Sequence, residues 1–102
     1  MYSTKELGNN VKNARRYRSK KSGMEFTSKD LAIKIGETTK WVKRLERGEF
    51  YPDWDAINFI ADVCGVEVES LIGEKFADEI EYEDAIKGGK IARTINDEEL
   101  RA

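Results

Sequence analysis

Apolar residues return every three or four positions through the first seventy-odd residues of the chain, and most of these runs stop at a glycine. Leu7, Val11 and Ala14 mark a helix from Leu7 to about Arg18, with Lys12, Arg15, Arg16 and Arg18 around the stripe. The periodicity lapses over Ser19–Glu25, which contains Gly23 and reads as a loop or a frayed helix end. Thr27 then opens a second helix as N-cap, with Asp30 completing a capping box and Phe26 in the hydrophobic-staple position. Leu31, Ala32 and Ile35 form its apolar stripe, and Gly36 predicts a left-handed stop. Thr38 predicts the cap of a third helix, which Gly48 ends. Val42 and Leu45 point one way in it, and Thr39, Lys40, Lys43, Arg44 and Arg47 the other.

Pro52 and Asp53 start a fourth helix, whose buried side is Trp54, Ile57, Ile60, Ala61 and Cys64 and whose stop is Gly65. Val66–Ile72 fits a final short helix before Gly73. Beyond it, residues 74–102 carry 5 basic and 9 acidic residues, with apolar positions at Phe76, Ile80, Tyr82, Ile86, Ile91 and Ile95. Phe76 and Ile80 have helical spacing, whereas Ile80 and Tyr82 alternate as in a strand, and Lys87-Gly88-Gly89-Lys90 is a hairpin-turn signal. The expected fold class is all-α. A five-helix domain spans residues 1–73, and a short acidic extension of unassigned structure spans 74–102.

The net charge of −2 averages two opposed halves. Residues 1–52 hold 13 Lys/Arg against 6 Asp/Glu, and residues 53–102 hold 5 against 14, giving +7 and −9. A basic first half suits a polyanionic partner. With no His and a single Cys, neither an ordinary zinc site nor a Ser–His or Cys–His nucleophile can be assembled. No Gly-rich phosphate loop follows a strand-like run. The expectation is a non-enzyme without metal or cofactor. The lone Cys64 fits a reducing compartment and reads as an inert core residue. The first residues, MYSTKELGNN, lack an apolar signal core and no apolar run could span a bilayer, so a cytoplasmic location away from membranes is expected.

Two short helices joined by a turn of about three residues, the second with a basic outer face, form a helix-turn-helix arrangement. The run from Leu7 to Ile72 resembles the repressor/Cro-like, or XRE, family of bacterial and phage helix-turn-helix regulators. The resemblance lies in Leu7-Gly8, Val11 and Ala14-Arg15, then Thr27–Ala32 with Ile35-Gly36. It continues through Thr38, Val42 and Leu45–Gly48, then Pro52–Trp54 with Ile57, and ends with Ala61, Gly65-Val66 and Leu71-Ile72. These pieces occur in family order over roughly two-thirds of the chain.

The resemblance implies a transcriptional regulator, a repressor of phage, mobile-element or antitoxin type, that binds double-stranded operator DNA as a homodimer with paired half-sites. By that likeness Thr39, Lys40, Lys43 and Arg44 read base edges. Arg44 or Lys40 suits guanine O6 and N7, and Thr39 suits a thymine methyl or a base-edge hydrogen bond. Phosphate contacts fall to Thr27, Ser28, Lys29, Thr38 and Arg47, with Lys20 and Lys21 reaching flanking phosphate from an unusually long first connection. Arg15 and Glu46 match a buried ion pair between the family's first and third helices, which orients the recognition helix. Ser28 replaces a common glutamine, and Glu49-Phe50-Tyr51 stand where basic or amide residues are frequent. Trp41 either covers the core edge or presses on the sugar-phosphate backbone. The apolar residues of the extension are too many for a solvated tail and too few for a core of their own. They pack on the fourth and fifth helices or on a second copy, so Val66, Val68, Phe76, Ile80 and Tyr82 are the expected dimerisation residues. The alternative is a protein-interaction module whose acidic tail binds a basic partner protein.

Overall fold

The computed structural model describes residues 1–87. Helix α1 (Thr4–Ser22) opens with a capping box in which the Glu6 N–H donates to the Ser3 hydroxyl and the Ser3 N–H donates to the Glu6 carboxylate, each at 3.1 Å. It runs a full turn beyond the expected end near Arg18 because its last turn is held by polar and stacking contacts, which leave no apolar period. The Phe26 N–H donates to the Ser19 hydroxyl at 2.7 Å. The Arg18 guanidinium lies 4.1 Å from the Phe26 ring centre and donates to the Val63 carbonyl at 2.7 Å.

Helices α2 (Ser28–Ile35) and α3 (Thr39–Glu46) follow, joined by Gly36, Glu37 and Thr38. Gly36 takes φ 73°, and the Glu37 N–H turns back to the Ala32 carbonyl at 2.9 Å. Asp53 caps α4 (Trp54–Cys64) by accepting from the Ala56 N–H at 2.8 Å. Helix α5 (Val68–Ile72) starts two residues later than expected, since the Val66 N–H returns to the Ala61 carbonyl and closes α4. Asp78 caps a further helix, α6 (Glu79–Ala85), by accepting from the Glu81 N–H at 3.0 Å.

The described residues thus form six helices and no strand. The all-α class stands, five helices fall within residues 1–73 as expected, the sixth lies in the extension, and the alternation of Ile80 with Tyr82 is not a strand. The Gly88-Gly89 turn, Ile91 and Ile95 lie outside the described residues.

Helix α3 packs on α1 and α2, α4 lies against both of those, and α5 bridges α1 and α4. Leu7, Val11, Leu31, Val42, Leu45, Ile57, Ile60, Leu71 and Ile72 fill the space between them and are all but inaccessible. Burying each such side chain contributes roughly 1.5–3 kcal/mol. The core continues past Gly73. Tyr82 is fully buried, its hydroxyl donates to the Pro52 carbonyl at 2.7 Å, and its ring centre lies 5.6 Å from Trp54 and 5.9 Å from Phe76. Ile86 is buried beside it. Cys64 is buried, and desolvation pushes its thiol up to about 11, in keeping with a packing role. No helix among the described residues is long and apolar enough to cross a membrane.

Candidate nucleic-acid interface

Helix α3 carries the basic face. Exposed Thr38 caps it, accepting from the Trp41 N–H at 3.1 Å. Trp41, Val42 and Leu45 point into the core, which forces Lys40, Lys43 and Arg47 outward and leaves Thr39 and Arg44 half-buried at the margin. All four residues expected to read bases, together with Thr38 and Arg47, therefore belong to one helix and its cap. Trp41 is settled as core: it is 1% exposed and meets Phe50 edge-on with ring centres 5.2 Å apart. Its indole N–H has no hydrogen-bond partner among the described residues. A full indole's burial in the core outweighs that cost.

The ion pair that the resemblance implies is present. Arg15 Nε donates to Glu46 Oε2 at 2.8 Å and Nη2 to Oε1 at 3.1 Å, with the two side chains 17% and 6% exposed. Arg15 Nη1 also donates to the Phe26 carbonyl at 3.2 Å. One guanidinium thereby ties the end of α3 to α1 and to the residue ahead of the α2 cap. Beside it, Gly8 lets the two backbones touch, since a Cβ there would fall 2.8 Å from the Glu46 carbonyl oxygen.

The closure of α3 brings in a residue that sequence reasoning treated only as a replacement. Arg47 is the C-cap and Gly48 follows at φ 81°. The Gly48 N–H donates to the Leu45 carbonyl at 2.9 Å and the Glu49 N–H to the Arg44 carbonyl at 3.2 Å, the paired bonds of a left-handed glycine stop. Glu49 is folded back onto the helix it has just left. Its Oε1 accepts from Arg44 Nε at 2.9 Å and its Oε2 from Arg47 Nε at 2.7 Å. The two guanidiniums hold its carboxyl below the ordinary carboxylate range. The signal was in the chain: arginines five and two residues before an acid, with glycine between, converge when a helix closes this way. Phe50, the next residue of the Glu49-Phe50-Tyr51 stretch, is buried.

At the start of α2 the capping box is complete. The Asp30 N–H donates to the Thr27 hydroxyl at 3.2 Å, while the Thr27 N–H and hydroxyl both donate to Asp30 Oδ2 at 2.9 Å. These bonds hold the Asp30 carboxyl below its ordinary range. Thr27 is the expected cap, and its N–H and hydroxyl are both engaged by Asp30. Ser28, half-buried, and Lys29, exposed, remain in the first turn. Lys20 and Lys21 sit in the last turn of α1 rather than on a loop. Lys21 Nζ approaches the Tyr17 hydroxyl at 3.4 Å and lines a hollow with Val63 and Gly65 at the end of α4. Neither lysine belongs to α2, the turn or α3.

The expected dimerisation residues divide. Tyr82 belongs to the chain's own core, and Phe76 covers it; Val66 and Val68 are half-buried against the same core. Only Ile80 is well exposed, at 70%. Among the described residues no cluster of side chains could hold a metal ion. No family model, no curated protein and no solved structure matches the chain.

Proposed function

We propose that the chain is a sequence-specific double-stranded DNA-binding regulator of the repressor type, in which α2, its three-residue turn and α3 act as a helix-turn-helix. The observation that carries the reading is the two-sidedness of α3. Trp41, Val42 and Leu45 are buried on one side while Lys40, Lys43, Arg44 and Arg47 line the other, on a helix anchored by the Arg15–Glu46 pair. An eight-residue helix held this way is a rigid cationic ridge, and its N-terminal half fits the major groove. Arg44 and Lys40 read base edges, with Thr39 beside them. Ser28, Lys29 and Thr38 bind phosphate.

Pairing of two copies sets half-sites about one helical turn apart, and Ile80 with the half-buried Val66, Val68 and Phe76 supplies the apolar surface for it. Selection from a pool of randomised duplex DNA tests the reading. Enrichment of a two-fold symmetric sequence supports it; absence of both enrichment and salt-dependent duplex binding overturns it. A second reading, a module that binds a basic partner protein, is favoured by Ile80 standing exposed between the acids of α6. It gains if the selection fails and an Ile80→Asp variant loses a co-purifying basic partner.

A further inference from the structure

We propose that Glu49 is a specificity-determining residue of the α3 face, which holds Arg44 and Arg47 off phosphate so that duplexes offering backbone contacts alone are bound poorly. The inference rests on the DNA-binding reading above and extends it to a residue that contacts no DNA itself.

The placement of Glu49 is imposed by backbone on both sides. Ahead of it, the left-handed Gly48 and the Glu49 N–H bond to the Arg44 carbonyl turn the chain back over α3. Behind it, Phe50 is locked against Trp41. The carboxylate, at the exposed edge of the helix, gives one oxygen to each of the two guanidiniums. Without the two arginines the site would disfavour an acid. The C-terminal end of a helix carries partial negative charge, and a phosphate lattice facing α3 would add to it. The two arginines offset this in the unbound protein.

The consequence for binding follows from what each kind of contact offers. A phosphate that draws Arg44 or Arg47 away must replace a charge-assisted hydrogen bond and also face a released carboxylate. A guanine offers a guanidinium two acceptors, O6 and N7, on a base edge that carries no net charge, so the penalty is smaller and is repaid by geometry. Glu49 therefore weighs more against random duplexes than against a matched site.

The test compares the full chain with its Glu49→Gln variant on a pool of short random-sequence duplexes, by fluorescence anisotropy across a salt series. A glutamine at this position keeps the backbone bond and similar bulk but not the charge. The variant is expected to bind the random pool about tenfold tighter, with a salt dependence steeper by about one to two units of slope. On the sequence enriched by the unaltered chain the gain should be about threefold or less. In an Arg44→Ala/Arg47→Ala background the same Glu49→Gln change should alter random binding hardly at all. An equal gain in that background, or no gain in the unaltered one, overturns the proposal while leaving DNA binding intact. If neither protein binds any duplex, the functional reading falls and this inference with it.

Discussion

Arg15 on α1 and Glu46 on α3 meet side-on, two parallel N–H groups against two carboxylate oxygens, across 31 residues of chain. This geometry holds the charged face of α3 at a fixed angle to the rest of the molecule. Glu46→Ala leaves a guanidinium that is mostly desolvated and has lost its counter-charge. Breaking such a pair costs about 3–5 kcal/mol. In a domain of this size the melting midpoint should fall by more than about 10 °C. Thermal unfolding followed by circular dichroism checks this, and a fall of a degree or two would show that the pair contributes little.

Gly8 offers a test of the same contact from the other side. Glycine within a helix is normally improved by alanine, by about 1 kcal/mol. Here the added Cβ would strike the carbonyl oxygens of Leu45 and Glu46, which are backbone and cannot rotate away. Overpacking of that kind costs up to about 3 kcal/mol, so Gly8→Ala should be destabilised by roughly 2 kcal/mol net. The denaturant midpoint decides the sign.

Tyr82 links stability to alkaline pH. Burial, reinforced by the charges of Asp53 and Tyr51, raises its phenol above the ordinary value of 10.0. The folded state keeps the proton where the unfolded chain releases it. The stabilisation is therefore complete below about pH 10 and is lost as pH rises beyond it. Tyr82→Phe should remove part of that alkaline decline. At neutral pH it should cost about 1–3 kcal/mol, because the Pro52 carbonyl loses its donor. Denaturant unfolding of both proteins on either side of pH 10 reads the two effects separately.

Arg44 and Lys29 should behave differently once a binding sequence has been selected. Arg44→Ala is expected to weaken the selected site by about 1–3 kcal/mol and to relax preference at one position of each half-site. Lys29→Ala should weaken all duplexes alike and flatten the salt dependence by about one unit of slope. Competition binding against single-base variants separates the outcomes. Uniform loss with Arg44→Ala would remove it from the base-reading set.

The parts of the fold readable in the chain were those written in local chemistry. Thr27, Thr38 and Asp53 cap helices where hydroxyl or carboxylate meets the first turn, and Gly36 and Gly65 stop them in the left-handed region. What escaped was written in contacts between distant residues. The last turn of α1 depends on Arg18 stacking on Phe26 and on Ser19 capping the Phe26 N–H, neither of which leaves a period. Helix α6 was ambiguous because Tyr82 sits two residues from Ile80, and only the buried bond to Pro52 decides that Tyr82, and not Ile80, faces inward. On the α3 face the cationic set was legible from spacing. The engagement of Arg44 and Arg47 by Glu49 required knowing how the helix closes.

The segment from Gly48 to Asp53 is fastened at nearly every residue. A side chain at Gly48 would press on the Lys5 backbone at 2.7 Å, Glu49 grips two arginines, Phe50 is buried, the Tyr51 hydroxyl donates to the Tyr2 carbonyl, Pro52 receives Tyr82, and Asp53 caps α4. An extra residue there would break several of these at once. Ser22–Glu25 is exposed throughout. Insertion of a tag or peptide at Ser22–Glu25 should therefore leave the fold standing so long as Ser19 keeps its bond to Phe26, whereas insertion between α3 and α4 should destabilise it.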